Sequence, residues 1–502
     1  MRDPDVVVIG AGPNGLVAAA HLARAGLRVL ALEAKDAIGG ACASRALTLP
    51  GFVHDVGAGF FPFASGSPAL APLSLAEHGL SLCHAPIDSA HPALDGSCAA
   101  LARDHARALS LAGDDAREWR PIFEWLGARA DAVLPALLGP IDDVRAKLAL
   151  DATSLTMLAE AGLSSTRGYS ARFRAEASRR VLPALGLHAD VAPDDRCGAA
   201  VGLMLAALAA TAGFPVARGG AQAVPTALAG ALTSSAGEVR TGARVSRIVV
   251  RRGRAVAVAL ASGEEISARV AVVADTGAPA LYLRLLPPEV VPSGLLRRMR
   301  RYPYGWGTFK IDWALSGQVP FTSAPCREAA VVHAGESVDD LARFAREVRA
   351  GLLPNNPYLV LGQASVADPS RAPAGCHTLY AYTHAPSELD GGWPAARERF
   401  ADAIERRVEG LAPGFRALIL ARAIHDPGDL ERFDENLVGG DLGGGTADIT
   451  NQLVLRPAFP WFRHATPVAG LYLCSAYTHP GTGVHGACGW NAARAVLRRE
   501  VS

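Results

Sequence analysis

Lysine is almost missing from this chain: Lys35, Lys147 and Lys310 stand against 46 arginines. Charge of one sign is also missing, with 49 basic residues balancing 48 acidic ones, which argues against a nucleic-acid footprint or a polyanionic partner. None of the eight cysteines (Cys42, Cys83, Cys98, Cys197, Cys326, Cys376, Cys474, Cys488) forms a CxxC pair, so reduced thiols are expected rather than zinc or disulfides. A strand pattern starts at once at the N-terminus and leaves no room for a signal or transit peptide; a cytoplasmic location is the expectation. Long apolar runs are scarce as well. Cys197 to Gly213, roughly 17 residues rich in Ala and Gly, is marginal for a bilayer span and reads as a buried or pocket-lining helix, with peripheral membrane contact as the alternative. Repeats and low-complexity tracts are absent. At 502 residues, half of them hydrophobic, the chain exceeds one ordinary domain, and two interleaved domains are expected.

Glycine is abundant, and its most informative placement is in the first 40 residues. Asp5 to Ile9 is a β-branched run suited to a buried parallel strand, and it breaks at Gly10-Ala-Gly12-Pro13-Asn14-Gly15 into a helical pattern up to Ala25. Gly10 permits the tight turn, Gly12 admits a pyrophosphate, and Gly15 lets the helix lie close on the strand, so the helix N-terminus can receive a dianion. Gly26 caps the helix. A second strand, Arg28 to Leu32, delivers Glu33, 23 positions after Gly10, where an acid takes the two hydroxyls of an adenosine ribose. This order of elements points to a dinucleotide. The continuation Lys35-Asp-Ala-Ile-Gly39-Gly40-Ala41-Cys42-Ala-Ser44 resembles that of FAD-binding flavoproteins of the glutathione-reductase type, which favours FAD over NAD. Cys42 lacks a second cysteine at redox spacing, so thiol chemistry is not expected there.

Further along, Ser89 to Ala102 reads as a strand pair and Asp115 to Leu138 as an amphipathic helix capped by Asp114-Asp115, with another helix starting at Pro140-Ile-Asp-Asp. Helical patterns run on to residue 213 as an inserted cap. Arg240 to Val250, Ala255 to Leu260 and Ile266 to Ala274 form a β-meander whose last strand rejoins the parallel sheet. Thr308 to Leu315 alternates with period two, so Lys310 and Asp312 share a face with Thr308 and Ala314. That face either lines a cavity or carries an exposed Lys310–Asp312 ion pair. Gly470 to Ala476 reads as a strand leading to Thr478-His479-Pro-Gly481-Thr-Gly483-Val484-His-Gly486 and a final helix; with 16 residues left after Gly486, this second GxGxxG cannot open another nucleotide fold.

Taken together, the Gly10–Gly40 block, Ala217-Arg-Gly219-Gly220, Ser365-Val-Ala-Asp368-Pro369, Gln452-Leu-Val-Leu-Arg456-Pro457 and the Leu471–Gly481 block resemble the phytoene-desaturase-like family of FAD-dependent oxidoreductases, in its retinol-saturase-like and pyridine-nucleotide-disulphide-oxidoreductase-domain subgroup, with flavin amine oxidases as distant relatives. The resemblance spans nearly the whole chain. It departs at Ser475, where many relatives have glycine, and at Ala41, where they commonly have arginine. It implies an α/β fold, a Rossmann-type FAD-binding domain (1–64, 215–290, 465–502) interleaved with an α+β substrate domain (65–214, 291–464). The cofactor residues expected are Gly10, Gly12, Pro13, Asn14, Gly15, Glu33, Ala34, Gly39, Gly40, Ala41, Ser44, Val245 against the adenine, Ser475, Gly481, Gly483 and Val484. In the amine oxidases a lysine bridged by water to flavin N5 occupies a strand like Gly307-Thr-Phe-Lys310, which makes Lys310 a catalytic candidate; His479 is a second, its alternative being packing that shapes the turn. No metal is expected. The function implied is hydride transfer from an apolar small molecule to FAD, most simply C–C desaturation or a related saturation or isomerisation, with oxygen or a quinone as final acceptor. The alternatives are a flavin amine oxidase, for which Tyr302, Tyr304 and Trp306 could form an aromatic cage, and a flavin-binding interaction protein without turnover.

Overall fold

The computed structural model describes residues 3–64 and 66–501. In chain order its main strands are β1 (Val6–Ile9), β2 (Val29–Leu32), β3 (Ile87–Pro92), β4 (Cys98–Leu101), β5 (Glu238–Arg240), β6 (Val245–Arg251), β7 (Arg254–Leu260), β8 (Glu265–Ser267), β9 (Ala271–Ala274), β10 (Gly307–Leu315), β11 (Ala329–Ala334), β12 (Leu359–Gly362), β13 (His377–Ala385), β14 (Ile419–His425) and β15 (Leu471–Leu473). One sheet, in the order β15-β9-β1-β2-β5, is parallel throughout. Its strands are runs of Val, Ala, Leu and Ile because both faces are covered. Val6 and Val8 of β1 pack on the helices Pro13–Arg24, Ala223–Ser234 and Ala487–Val496, while Val7 and Ile9 face the antiparallel β6-β7-β8 meander. The period of two thus assigns each residue of β1 to its layer.

A second sheet runs β14-β10-β13-β12-β11-β3-β4, antiparallel except for the β3–β11 pair. Beneath it the helices Ala116–Leu138, Val181–Leu187, Ala199–Ala209 and Trp393–Leu411 bury Trp119, Trp125, Leu182, Leu203, Phe400 and Ile404 in one core with Phe309 and Trp313 of β10. The α/β class expected from the sequence is the one observed.

Several local expectations change. Arg240 to Val250 is two strands in two sheets, because Gly242 turns the chain at φ 62° between β5 and β6. Ile266 to Ala274 likewise divides, its middle handing over from the meander (Ala268 N to Val256 O, 2.8 Å) to β1 (Val270 N to Asp5 O, 2.8 Å). Asp115 does precede its helix, but its carboxylate accepts from the Arg174 and Ala175 amides at 2.7 and 3.0 Å instead of capping it. The next helix begins at Val144 with Asp143 as its cap. The apolar run after Cys197 is an 11-residue helix within the core. Among the described residues no helix is long and apolar enough to cross a membrane.

Candidate active site

At the carboxyl end of β1 the chain turns through Gly10, at φ 96°, into the helix Pro13–Arg24, whose N-cap Gly12 has no side chain with which to cap it. A Cβ on Gly15 would lie 2.3 Å from the Gly10 carbonyl oxygen, so glycine is what allows this helix to sit on its strand. The second glycine pair folds back on the first: Gly39 N donates to Ala11 O at 2.9 Å, and a Cβ on Gly40 would stand 3.5 Å from the Gly12 Cα. Glu33 reaches the same turn, accepting from the Ala11 amide (2.9 Å) and the Lys35 amide (3.0 Å). Ala34 follows it, and the amides of Gly242 and Ala243 bond to Lys35 and Glu33, which brings Val245 alongside. Asn14 Oδ1 is buried without a partner at the helix start. A helix N-terminus reached through glycines that carry no Cβ, with an acid beyond the next strand, is what a pyrophosphate and its ribose require, so a dinucleotide fits here.

Asp275 is a member of this turn that the sequence reading passed over. It follows β9 directly, accepts from the Gly15 amide at 2.8 Å, and would meet a Cβ on Gly12 at the same distance. Burial, reinforced by the charges of Asp434 and Glu33, pushes its carboxyl up to about 7 despite the Gly15 bond. The signal available was position: in a parallel sheet ligands lie off the carboxyl ends of the strands, and Asp275 is the residue at that end.

The C-terminal block closes the site from the adjoining strand. Ser475, just past β15, donates to Thr276 O at 2.7 Å, next to Asp275. Gly481 and Gly483 have φ of 105° and 123°; a Cβ on Gly481 would touch the Arg456 guanidinium at 3.2 Å, and one on Gly483 would touch His485 at 3.1 Å. Val484 packs into the helix-side core. Arg456, itself fully buried, ties this block to a glycine-rich loop, donating to Gly443 O (2.6 Å), Gly444 O (3.0 Å) and Ala476 O (2.6 Å). That loop, Gly439-Gly-Asp441-Leu-Gly443-Gly-Gly445, was not singled out from the sequence. His479 turns the other way, hydrogen-bonding the Leu137 and Gly139 backbone at a helix end; burial, with the Lys147 charge, lowers its pKa to about 4. Ser44 bonds Asp55 at 2.7 Å and the Gln222 amide at 3.2 Å, and Ala41 O receives the Ala58 amide at 3.2 Å.

Lys310 does pair with Asp312, as one reading of β10 required, but the pair is buried, with side chains 4% and 0% exposed. His54 Nδ1 (3.5 Å) and His425 Nε2 (3.7 Å) flank the carboxylate, and the ammonium lies 5.0 Å from the centre of the Tyr380 ring. Burial alone would raise the Asp312 carboxyl; Lys310 and His54 outweigh it and hold it below the ordinary range. Tyr380 abuts Gly59, whose added Cβ would meet it at 3.1 Å, and from there the chain runs back to Ala41 beside the second glycine pair. Lys310 is thus linked through Tyr380 and Gly59 to the segment that carries Ala41.

A second acid–base group emerges only in three dimensions. Asp190 has φ 62°, a left-handed conformation that a non-glycine residue holds only when its surroundings demand it. Its carboxylate lies 3.1 Å from His384 Nδ1 and receives the Trp306 amide. A Cβ on Gly305 would find Asp190 at 2.6 Å and Asp441 at 2.8 Å, so this glycine lets two carboxylates approach. Asp441 is satisfied by the amides of Gly305, Gly443 and Gly445 at 2.6–2.8 Å. Burial and the Asp441 charge push the Asp190 carboxyl well above its ordinary range, and burial lowers His384 to about 4. Close by, His188 bonds His333 (3.0 Å), and His333 reaches His91 through Ser89 Oγ, each step 3.0 Å.

The family model for flavin containing amine oxidoreductases matches residues 14–308. The chain belongs to that family. This flavoenzyme is 29% identical over 558 residues to mouse pyridine nucleotide-disulfide oxidoreductase domain-containing protein 2, covering 98% of this chain and 93% of the mouse protein. To the neurosporene-forming phytoene desaturase of Rhodobacter capsulatus it is 30% identical over 282 residues, 54% of this chain and 51% of that one. Among solved structures, a Methanosarcina mazei oxidoreductase superposes with TM-score 0.63 at 16% identity, covering 98% and 100% of the two chains. Cyclohexylamine oxidase from Brevibacterium oxydans superposes with TM-score 0.59 at 18% identity, each chain covered completely. These two likenesses establish the fold. The flavoenzyme is an FAD-dependent oxidoreductase of phytoene-desaturase-like type, and a reading as a flavin-binding protein without turnover is set aside.

Proposed function

We propose that this flavoenzyme removes hydride from a carbon–carbon single bond of a largely apolar molecule, leaving a double bond. FAD, when bound, supplies the hydride acceptor. The observation that favours C–C over C–N oxidation is the state of the aromatic cage an amine would need. Trp306 already carries the Arg349 guanidinium at 5.2 Å, and Tyr302 carries Arg298 at 5.9 Å while donating to Gly444 O at 3.1 Å. Two guanidiniums on these rings repel an ammonium and occupy the faces that would bind it. The sequence similarity to desaturases supports the same reading.

Desaturation takes a hydride and also releases a proton, which needs an acceptor. We assign it to Asp190, backed by His384. Asp190 sits across Gly305 from Asp441, whose glycine loop is bound through Arg456 and Thr482 to the Ala476–Gly483 block expected at the flavin. When ionised, a carboxylate in such a site is a stronger base than an ordinary one. Lys310 would steady negative charge on the cofactor, and Glu33 and the glycine turns would hold its adenosine and pyrophosphate.

The test is anaerobic bleaching of the yellow enzyme by phytoene or limonene in detergent, compared with putrescine and cyclohexylamine. Bleaching by the hydrocarbons is expected; bleaching by the amines alone would transfer the assignment to C–N oxidation. Asp190→Asn should cut the bleaching rate on the order of 10²-fold with half-saturation unchanged. A rise in half-saturation at an unchanged rate would make Asp190 a substrate anchor.

A further inference from the structure

We propose that Cys98 and Cys326 form a built-in dithiol that closes reversibly to a disulfide when the enzyme meets hydrogen peroxide. Their sulfur atoms are 3.8 Å apart, in contact. Among the described residues no other two cysteine sulfurs touch: Cys42 donates to Ala221 O, and Cys488 to Thr478 and Gly481 carbonyls. The two cysteines are 228 positions apart in sequence, which is why spacing rules miss the pair. Cys98 opens the edge strand β4, and Cys326 lies in the short helix Ala324–Arg327 that leads into β11. β3 lies between β4 and β11 in the sheet, and the helix Ala324–Arg327 packs back against β3, which brings Cys326 to Cys98. Gln363 fixes the Cys326 end, its Nε2 donating to Cys326 O at 2.7 Å. Closing the bond requires the two sulfurs, already in contact, to approach to bonding distance.

The surroundings divide the labour between the two thiols. Cys98 is half-buried and Cys326 fully buried, so an oxidant reaches Cys98 first. Arg180, a buried guanidinium, donates to the carbonyl and hydroxyl of Ser97, the residue before Cys98, at 2.6 and 3.0 Å. Cys98 itself donates to Ala99 O at 3.4 Å, leaving Cys326 as the donor between the sulfurs. A hydrogen bond from Cys326, then Ser323 and the Arg180 charge, hold the Cys98 thiol below the ordinary range against burial, while the same contact and burial raise Cys326. An accessible, low-pKa thiol beside a protonated partner is the arrangement of an attacking and a resolving cysteine.

In the reaction the Cys98 thiolate attacks a peroxide oxygen; an S–O bond forms, the O–O bond breaks and hydroxide leaves. Cys326 then attacks the Cys98 sulfur, forming the S–S bond and breaking the S–O bond, its proton leaving with the oxygen as water. Two thiols lose two electrons and two protons, and one peroxide becomes two waters.

The test uses the reduced holoenzyme, treated with graded hydrogen peroxide, quenched, alkylated under denaturing conditions and mapped by mass spectrometry. Alkylatable thiols should fall by two from eight, the chain should lose about 2 Da, and one linked peptide pair should contain Cys98 and Cys326, all reversed by dithiothreitol. In Cys326→Ser, Cys98 should instead accumulate a sulfenic acid trapped by dimedone. The proposal is overturned if both thiols remain alkylatable at a dose that oxidises free cysteine, or if Cys98 is consumed with no linked peptide. Mapping of the wild-type chain alone decides this, so no variant has to fold.

Discussion

Replacing Lys310 by Met tests both roles that its surroundings imply. The variant leaves Asp312 in a site where its side chain is 0% exposed, with His54 and His425 at 3.5 and 3.7 Å as the remaining polar neighbours. Breaking a buried pair by removing one partner costs about 3–5 kcal/mol, chiefly because the other charge is stranded. The two histidines put Lys310→Met near the lower end, about 3 kcal/mol. Neutralising the stranded charge as well, in Lys310→Met/Asp312→Asn, should recover most of that loss. Urea unfolding of the wild type, both single variants and the double variant gives the coupling directly. The pH dependence has a definite sign. The Asp312 carboxyl lies below its unfolded value in the native protein, so the stability it contributes is present above the unfolded value, near 3.8, and is lost as pH falls through the native one. In Lys310→Met that lowering is removed, so the gap to wild type should narrow as the solution is acidified. Flavin reduction gives a separate reading: both Lys310 variants should reduce on the order of 10²-fold more slowly, and the double variant should not regain the rate. A double variant as unstable as Lys310→Met would refute the buried-charge account. A wild-type reduction rate in Lys310→Met would leave Lys310 a structural role only.

Three further outcomes are expected. Glu33→Ala should retain FAD at least about tenfold more weakly, from the loss of charge-assisted bonds worth roughly 1.5–3 kcal/mol; full occupancy after dilution would remove Glu33 from the cofactor site. Gly12→Val should purify colourless, because its side chain collides with the Asp275 carboxylate 2.8 Å from the first added carbon, whereas Cys42→Ser, whose buried thiol only donates to Ala221 O, should stay yellow and active. Asp275 is raised from 3.8 to about 7 in the folded chain, so the cofactor-free protein should lose stability as pH rises across that window, by up to about 4 kcal/mol. Asp275→Asn should abolish the slope, and an unchanged slope in calorimetric scans would show that another group carries it.

The cofactor turn was legible because its constraints are local: Gly10, Gly15 and Gly39 are required by atoms of the same short stretch or of the strand beside it. Period two also put Lys310 and Asp312 on one face of β10 and anticipated their pairing. Their burial was not legible, since His54, Tyr380 and His425 arrive from distant parts of the chain. Asp190 and His384 gave even less warning. The first follows a helix and the second lies within β13, and nothing in either stretch shows that Gly305 brings Asp190 up against Asp441. The division of Arg240 to Val250 was missed because both halves have strand character, and only the choice of neighbour, β2 or β7, separates them.

The order of strands in the parallel sheet has a consequence for biosynthesis. β1 and β2 leave the ribosome within the first tens of residues, but β5 and β9 follow only after the helical insertion, and β15 with its glycine block comes last of the five. The nascent chain therefore carries an open sheet edge at β9 from the time that strand forms until Leu471 is made, with Asp275 already in position and Ser475 not yet synthesised. Any early grip on the dinucleotide would come from the first turn alone, and firm retention would wait for the last strand to dock. Cofactor loading should accordingly behave as a late, all-or-none event in the life of each chain, and chains stopped before Leu471 should emerge colourless and prone to pair through the exposed edge.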